Sequence, residues 1–381
     1  MNVLTLQITN QENNCMGGAY DRYMTLINGF LEEGWYVHHI SPRGFSNLKH
    51  ESLTHYGVRG INITPHFLPF FIQTIPTMLF INKKVNIDFI IVFSPLESLM
   101  GVIFKLFNGK TRLITCFRAD SVSNLKADHR KGNIALTLTI KFLNLIEKIA
   151  VKRSDYVIFL SKKNRDDILK RVNYEKDDKI DVIYNGITPR LSSLTSDYKI
   201  VRHSDKNVIG YVGAMYAAKG VSHLIKAFSN VKKVLPDATL VLVGEGLDKE
   251  RFIELTADLN LEDSVIFTGY QENPFPYIRG FDLMIVPSLS EAFGIVIFEA
   301  LFVQTPVFGS DKGGIPEVLI YKELLFEVGS PELELKILEF FQNTEAHEKV
   351  VKLCNQRKDV FMFDWSRKMI NSIKKRLPNV E

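Results

Sequence analysis

The sequence predicts an α/β chain made of two open, helix-flanked parallel sheets in series, facing each other across a ligand-binding cleft. Two observations carry that expectation. Short β-rich runs alternate with longer runs of helical apolar spacing, first up to about residue 186 and again from residue 208, which is the order that builds a helix-covered parallel sheet. Between the two series lies a polar, serine-rich stretch, residues 187 to 207, with no firm periodicity. The boundary is therefore placed near residues 188 to 205. A first Rossmann-like domain is expected over 1–188 and a second over 189–360, with a terminal helical segment over 361–381.

Each element has its own signal. "NVLTLQI" reads as the first strand, and "AYDRYMTLINGFLEEGW" as a helix with apolar residues at Tyr23, Leu26, Ile27, Phe30 and Leu31. Gly34 stops it, and "YVHHI" is the next strand. "IDFIIVF" is too continuously apolar for a half-exposed strand and is placed at the centre of the sheet. "PLESLMGVIFKLF" follows as a helix, "TRLITCF" as a strand, Ile134 to Val151 as a long helix, then "DYVIFLS" and "KIDVIYNG" as strands. The second series starts at "VIGYVGA" and runs through "ATLVLVGEG", "SVIFTGY", "DLMIVPS" and "TPVFGSD". "WSRKMINSIKKRL" is a basic amphipathic helix.

Composition limits the function classes. With 381 residues, 46% hydrophobic and 24% charged, the chain has material for two cores and is not a disordered sequence. A net charge of +4 is too mild to drive nucleic-acid binding by itself. Cys15, Cys116 and Cys354 are far apart and form no metal-like spacing, so free thiols in a reducing compartment are expected. The histidines form no cluster and no metal site is expected. The amino terminus reads as a strand from the start, with no signal peptide expected. "FLPFFIQTIPTMLF", Phe67 to Phe80, is too short to span a bilayer. It reads either as a buried loop and helix or as a surface that meets membrane or a lipid-linked substrate.

Chemistry is expected where strands end. "GYVGAMYAAKG" places Gly213 after a strand and Lys219 before a helix. That arrangement either cradles phosphate through free N–H groups or is an ordinary tight turn. "LVGEG", with Gly244, ends another strand. "FDLMIVPSLSEAFGIVIFEAL" carries Glu291 in a loop or first helical turn, then Phe293 and Gly294, then Glu299 among apolar neighbours. Eight helical residues span about 12 Å with about 80° of rotation. Both acids can serve one extended ligand, but not one point. A carboxylate this close to a core needs a partner, and a ribose diol suits Glu299. Helix capping for Glu291 and a partly exposed face for Glu299 remain the plain alternatives. Gly313 and Gly314 permit close approach to a ligand. In the first half, "MGGAY" (Gly17, Gly18) follows strand one, and "CFRADS" places Arg118 and Asp120 at a strand end, as polar site groups or as a mutual ion pair.

Taken together, these segments resemble the retaining glycosyltransferases of family 4, the glycosyl transferases group 1 of GT-B fold. The resemblance covers nearly the whole chain and is most specific from Gly210 to Leu319. Glu291 and Glu299 stand as the family's E-x7-E pair; "IYNGI", "MGGAY" and "FDWSRKM" match its other elements. The resemblance implies that Glu299 holds the donor ribose, that Glu291 contacts the donor sugar and that Lys219 holds the diphosphate. It implies that Gly17 and Gly18 lie near the phosphates, that Phe293, Gly294, Gly313 and Gly314 line the pocket, and that the terminal helix crosses back to the first domain. It further implies a UDP- or GDP-sugar donor, no cofactor and no metal. The implied acceptor is a saccharide or lipid-linked saccharide in surface polysaccharide synthesis, lipopolysaccharide or capsule. The enzyme is expected in the cytoplasm, with peripheral contact at the inner face of the membrane and no nucleic-acid partner. Three departures stand out: Ala214 where the family often has Arg, with Arg118 a candidate replacement charge; Gln304 and Thr305 where it has Gly; and Thr188 where it has an acid. A nucleotide-sugar epimerase of the same fold and a catalytically weak scaffold protein are the alternatives.

Overall fold

The computed structural model of the protein describes residues 1–6, 18–42, 50–58, 67–127, 134–176, 178–186, 200–204 and 207–377. Cys15, Gly17, Thr188 and most of the serine-rich stretch lie outside them. The chain divides into two units. One comprises Met1–Ala119, Asn133–Tyr184 and Asp364–Glu381, the other Asp120–Gly132 and Asn185–Phe363.

The first unit begins β1 (Asn2–Leu6), α1 (Gly18–Glu32), β2 (Tyr36–Pro42), β3 (Leu53–Val58), α2 (Phe67–Lys84), β4 (Phe89–Val92), α3 (Pro95–Phe107) and β5 (Arg112–Phe117). After α4 (Ser121–Ala127), which groups with the other unit, come α5 (Ile134–Arg153), β6 (Tyr156–Phe159), α6 (Lys162–Val172) and β7 (Ile180–Val182). The strands pair in parallel in the order β3-β2-β1-β4-β5-β6-β7. β4 is buried along its whole length, which explains its unbroken apolar run. α3 starts where it does because the Ser94 side chain accepts the Glu97 N–H and Pro95 supplies a pre-set φ. Gly34, at φ +74°, ends α1. β3 goes beyond the sequence expectation: it is an edge strand with mostly part-exposed residues, so it lacks the apolar run of its neighbours. Phe67 to Phe80 is helical throughout, within α2, with Pro76 inside it. Met78 and Ile81 enter the core, whereas Ile72 and Phe80 are exposed. Among the described residues no helix is long and apolar enough to cross a membrane.

The second unit runs β8 (Val208–Val212), α7 (Val221–Val234), β9 (Thr239–Val243), α8 (Lys249–Asp258), β10 (Val265–Gly269), α9 (Phe275–Ile278) and β11 (Leu283–Val286). It continues with α10 (Ile295–Phe302), β12 (Val307–Ser310), α11 (Ile315–Leu319), β13 (Leu325–Phe326), α12 (Glu332–Gln342) and α13 (Thr344–Arg357). Its parallel order is β10-β9-β8-β11-β12-β13. Strand order reverses between β8 and β11, and ligands of such sheets bind beyond the strand carboxyl ends at that reversal.

The terminal helix, α14 (Trp365–Arg376), belongs to the first unit and packs on α1. Gly29 permits the approach, since a Cβ there would come within 2.9 Å of Ile370. Trp365 is fully buried. The basic tail is partly tied down inside the unit: Lys374 pairs with Glu33 at 2.5 Å, and Arg376 donates to the Asp178 carbonyl at 2.5 Å.

Candidate active site

The site of the second unit is assembled from loops at the carboxyl ends of β8, β9, β11 and β12. After β8 the chain turns through Gly213 and Ala214 and forms a single 3-10 turn, Ala217–Lys219, before α7. Several contacts fix this loop. The Tyr211 hydroxyl donates to the Ala214 carbonyl at 2.7 Å, Asp248 accepts the Ala217 N–H at 2.7 Å, and the Met215 N–H reaches the Glu245 carbonyl at 2.8 Å. Gly244 closes against the same loop: a Cβ there would overlap the Gly213 carbonyl.

Gly220 joins the turn to α7 at φ +69°, and a Cβ would overlap the Pro287 carbonyl. This glycine is what lets Lys219 sit beside the β11 loop. Gly220→Ala is expected to cost about 2 kcal/mol or more, from left-handed strain plus the overlap, and to lower the melting temperature by several degrees in a thermal denaturation scan. α7 starts with no side-chain cap, so its first N–H groups suit an anion.

From β11 the chain passes Ser288 and reaches Glu291. Leu289 and Ser290 donate backbone N–H groups to the Ala218 carbonyl, at 2.9 and 3.3 Å. Ser310, on β12, donates its hydroxyl to the Ser288 carbonyl at 2.6 Å. Gly313 and Gly314 close the other side: the Gly314 N–H donates to the Glu291 carbonyl at 2.9 Å, and a Cβ on Gly313 would overlap it. These glycines serve the packing of the Glu291 loop, which gives their small size a reason apart from any ligand.

The result is one charged pair at the strand-order reversal. Lys219 Nζ lies 2.7 Å from Glu291 Oε2, with side chains 30% and 16% exposed. Ser288 Oγ lies 3.4 Å from the same oxygen, and the N–H groups of Phe293 and Gly294 also donate to the carboxylate. Burial alone would raise the Glu291 pKa; the Lys219 ammonium and these donors outweigh it and hold the carboxyl below its ordinary value. The pair therefore adds stability above the ordinary carboxyl pKa of 4.5 and loses it as pH falls through the folded-state value. Lys219→Met is expected to lower stability by about 1–3 kcal/mol at pH 7. The gap from wild type should close as melting curves are repeated toward pH 3, and a gap independent of pH would contradict the pairing.

Glu291 stands in the loop ahead of α10, and only Glu299 lies on the helix, so the two acids are not separated by eight helical rises. Glu299 is half-buried on α10, flanked by buried Phe298 and Ala300. Gly294 caps that helix at φ +86°. The Phe293 ring does not face a pocket. It is 1% exposed and packs against Phe298 and Phe361, with ring centroids 5.1 and 5.7 Å away, so Phe293 reaches the site through its N–H. Tyr211, Ser288 and Ser310 were not expected from the sequence. A hydroxyl beside a strand end carries no pattern that separates it from an ordinary turn residue.

In the first unit Gly18 opens α1, and Gly17 lies outside the described residues. Arg118, just past β5, lies against an aromatic wall: its guanidinium is 3.8 Å from the Phe93 ring centroid and about 6 Å from those of Tyr23 and Trp365. Burial lowers its pKa to about 10, so it stays charged at neutral pH. Asp120 caps α4, accepting from the Ser123 N–H at 2.8 Å and its hydroxyl at 2.7 Å. Among the described residues no group of three or more His, Cys, Asp or Glu side chains is placed to hold a metal. Cys116 and Cys354 are buried free thiols.

Known proteins resemble both halves of the chain. Residues 16–191 match "Glycosyltransferase Family 4" and residues 195–357 match "Glycosyl transferases group 1". The N-acetyl-alpha-D-glucosaminyl L-malate synthase of Bacillus anthracis is 32% identical over 195 residues, 49% of this chain and 50% of that protein. In Campylobacter jejuni, the N-acetylgalactosamine-N,N'-diacetylbacillosaminyl-diphospho-undecaprenol 4-alpha-N-acetylgalactosaminyltransferase is 26% identical over 238 residues, 62% of this chain and 61% of that protein. The match with the Bacillus protein thus spans about half its length. The solved sucrose-phosphate synthase of Thermosynechococcus elongatus aligns over 100% of both chains with a TM-score of 0.82 at 18% identity, a likeness of fold. The chain has the GT-B fold of two Rossmann-like α/β domains and is related to glycosyltransferases, its first half matching the one family model and its second half the other.

Proposed function

We propose that the chain is a retaining glycosyltransferase that moves a hexosyl unit from a UDP- or GDP-sugar to a hydroxyl of a saccharide or lipid-linked saccharide, at the cytoplasmic face of the membrane, in surface polysaccharide synthesis. The observation that carries this reading is the Lys219–Glu291 pair at the strand-order reversal of the second unit, beside an uncapped helix start. A diphosphate placed there meets Lys219 and the first N–H groups of α7. It displaces Glu291 as the lysine's partner and leaves that carboxylate to accept hydrogen bonds from sugar hydroxyls. Glu299 accepts from the ribose diol. As the bond from C1 to the diphosphate oxygen breaks, the leaving group gains charge, which Lys219 and the N–H groups stabilise. The acceptor oxygen bonds C1 from the same face, and its proton passes to the departing phosphate oxygen. The name of the Campylobacter relative supports a polyprenyl-diphosphate-linked acceptor. Arg118 is a candidate for an anionic group of either substrate.

Calorimetric titration of UDP and GDP into the wild-type protein tests the donor half. One nucleotide should bind, and it should be released when the sugar donor and an acceptor are supplied. If neither binds, a scaffold role is favoured; a UDP-sugar epimerised without acceptor would point to the epimerase reading.

A further inference from the structure

The outer face of α5 is not that of an ordinary water-facing helix. Leu138, Phe142 and Leu145 are 60, 46 and 55% exposed. They alternate with Lys141, Lys148 and Lys152, all exposed. At about 100° per residue these six fall in one stripe roughly 120° wide. The acid of this helix, Glu147, is fully buried and pairs with Arg171 at 2.9 Å, so it offsets none of the stripe's charge.

The same chemistry continues on the neighbours. α3 packs against both α5 and α2. It ends in Leu106 and Phe107, 76 and 69% exposed, with Lys110 exposed just beyond. Its acid, Glu97, is buried and accepts the Phe93 N–H. α2 contains no acid; its Phe80 is 51% exposed, with the Lys84 ammonium 4.4 Å from the ring centroid. Three adjacent helices thus present apolar side chains among lysines and no exposed carboxylate.

We propose that this face of the first unit docks on an anionic lipid bilayer. The apolar side chains enter the boundary of headgroups and acyl chains while the lysines meet the headgroup charge. A second copy of the chain is disfavoured as occupant, because a self-complementary contact here sets lysines against lysines. Phe80 and Lys84 of α2 supply one edge of this face, and the α5 stripe, unanticipated from the sequence, supplies its centre. Docking does not depend on the transfer reaction, although it would bring the protein to a lipid-linked acceptor.

The test is co-sedimentation of the full chain with vesicles of phosphatidylcholine alone and of phosphatidylcholine mixed with phosphatidylglycerol. Wild type should bind the mixed vesicles, more weakly as salt rises, and leave phosphatidylcholine alone. Two variants probe the stripe: the triple Leu138→Ser, Phe142→Ser, Leu145→Ser, and the double Lys141→Glu, Lys148→Glu. Each should lose about tenfold or more in apparent vesicle affinity while keeping the wild-type circular dichroism, melting curve and nucleotide binding. Absence of wild-type binding to the mixed vesicles overturns the proposal. So does binding by the folded variants equal to wild type, or a wild-type dimer in gel filtration that the variants dissociate without any change at the vesicle.

Discussion

On the proposed function, Lys219→Met is expected to lower kcat/KM by about 10²–10³, the loss that follows removal of one preorganised charge from a developing anion. Two effects combine. The departing diphosphate loses its ammonium partner, and Glu291, still held by the N–H groups of Phe293 and Gly294, becomes an uncompensated negative charge where the phosphates should lie. Binding of the nucleoside diphosphate should weaken, while that of the monophosphate changes little, because the monophosphate lacks the outer phosphate on which the lysine would act. Steady-state kinetics and parallel titrations with the two nucleotides check this. Equal loss for both would place Lys219 on the nucleoside and end the assignment.

On the same proposal, Glu299→Ala is expected to weaken nucleotide binding by about ten- to a hundredfold, since a diol–carboxylate contact comprises one or two charge-assisted hydrogen bonds of about 1.5–3 kcal/mol each. A ribose-deoxy analogue sharpens the test. Wild type should prefer the ribonucleotide, and the variant should lose most of that preference. If the variant keeps the full preference for ribose, Glu299 does not touch the diol. Because the residue sits on α10 beside the buried Phe298 and Ala300, a melting curve must accompany the titration to separate lost contact from lost packing.

Much of the fold was legible because its central elements carry redundant signals. β4 is apolar along its length because it is buried throughout, as a central strand is when both faces of its sheet are covered. α3 announces both ends, through Ser94 and Pro95 at the start and Asn108 after Phe107. Two peripheral strands were not legible. β3 buries only Val58 of its residues, and β13 is two residues long, so neither leaves a periodic trace. At the site, the acids and the lysine stood out as charges in apolar or glycine-rich settings. Their pairing did not, because Lys219 and Glu291 lie 72 positions apart and meet only through the sheet. The family resemblance implies that Phe293 lines the pocket. The turn into α10 sends its ring into the core instead.

The membership of α14 in the first unit has a consequence for synthesis. Residues 1–119 and 133–184 leave the ribosome well before Asp364–Glu381 exists to join them. Until then α1 lacks the cover of Trp365 and Ile370, and a nascent chain holds that seam open while the whole intervening unit is made. Premature termination anywhere before residue 364 therefore yields an amino-terminal piece that is sticky rather than merely inactive.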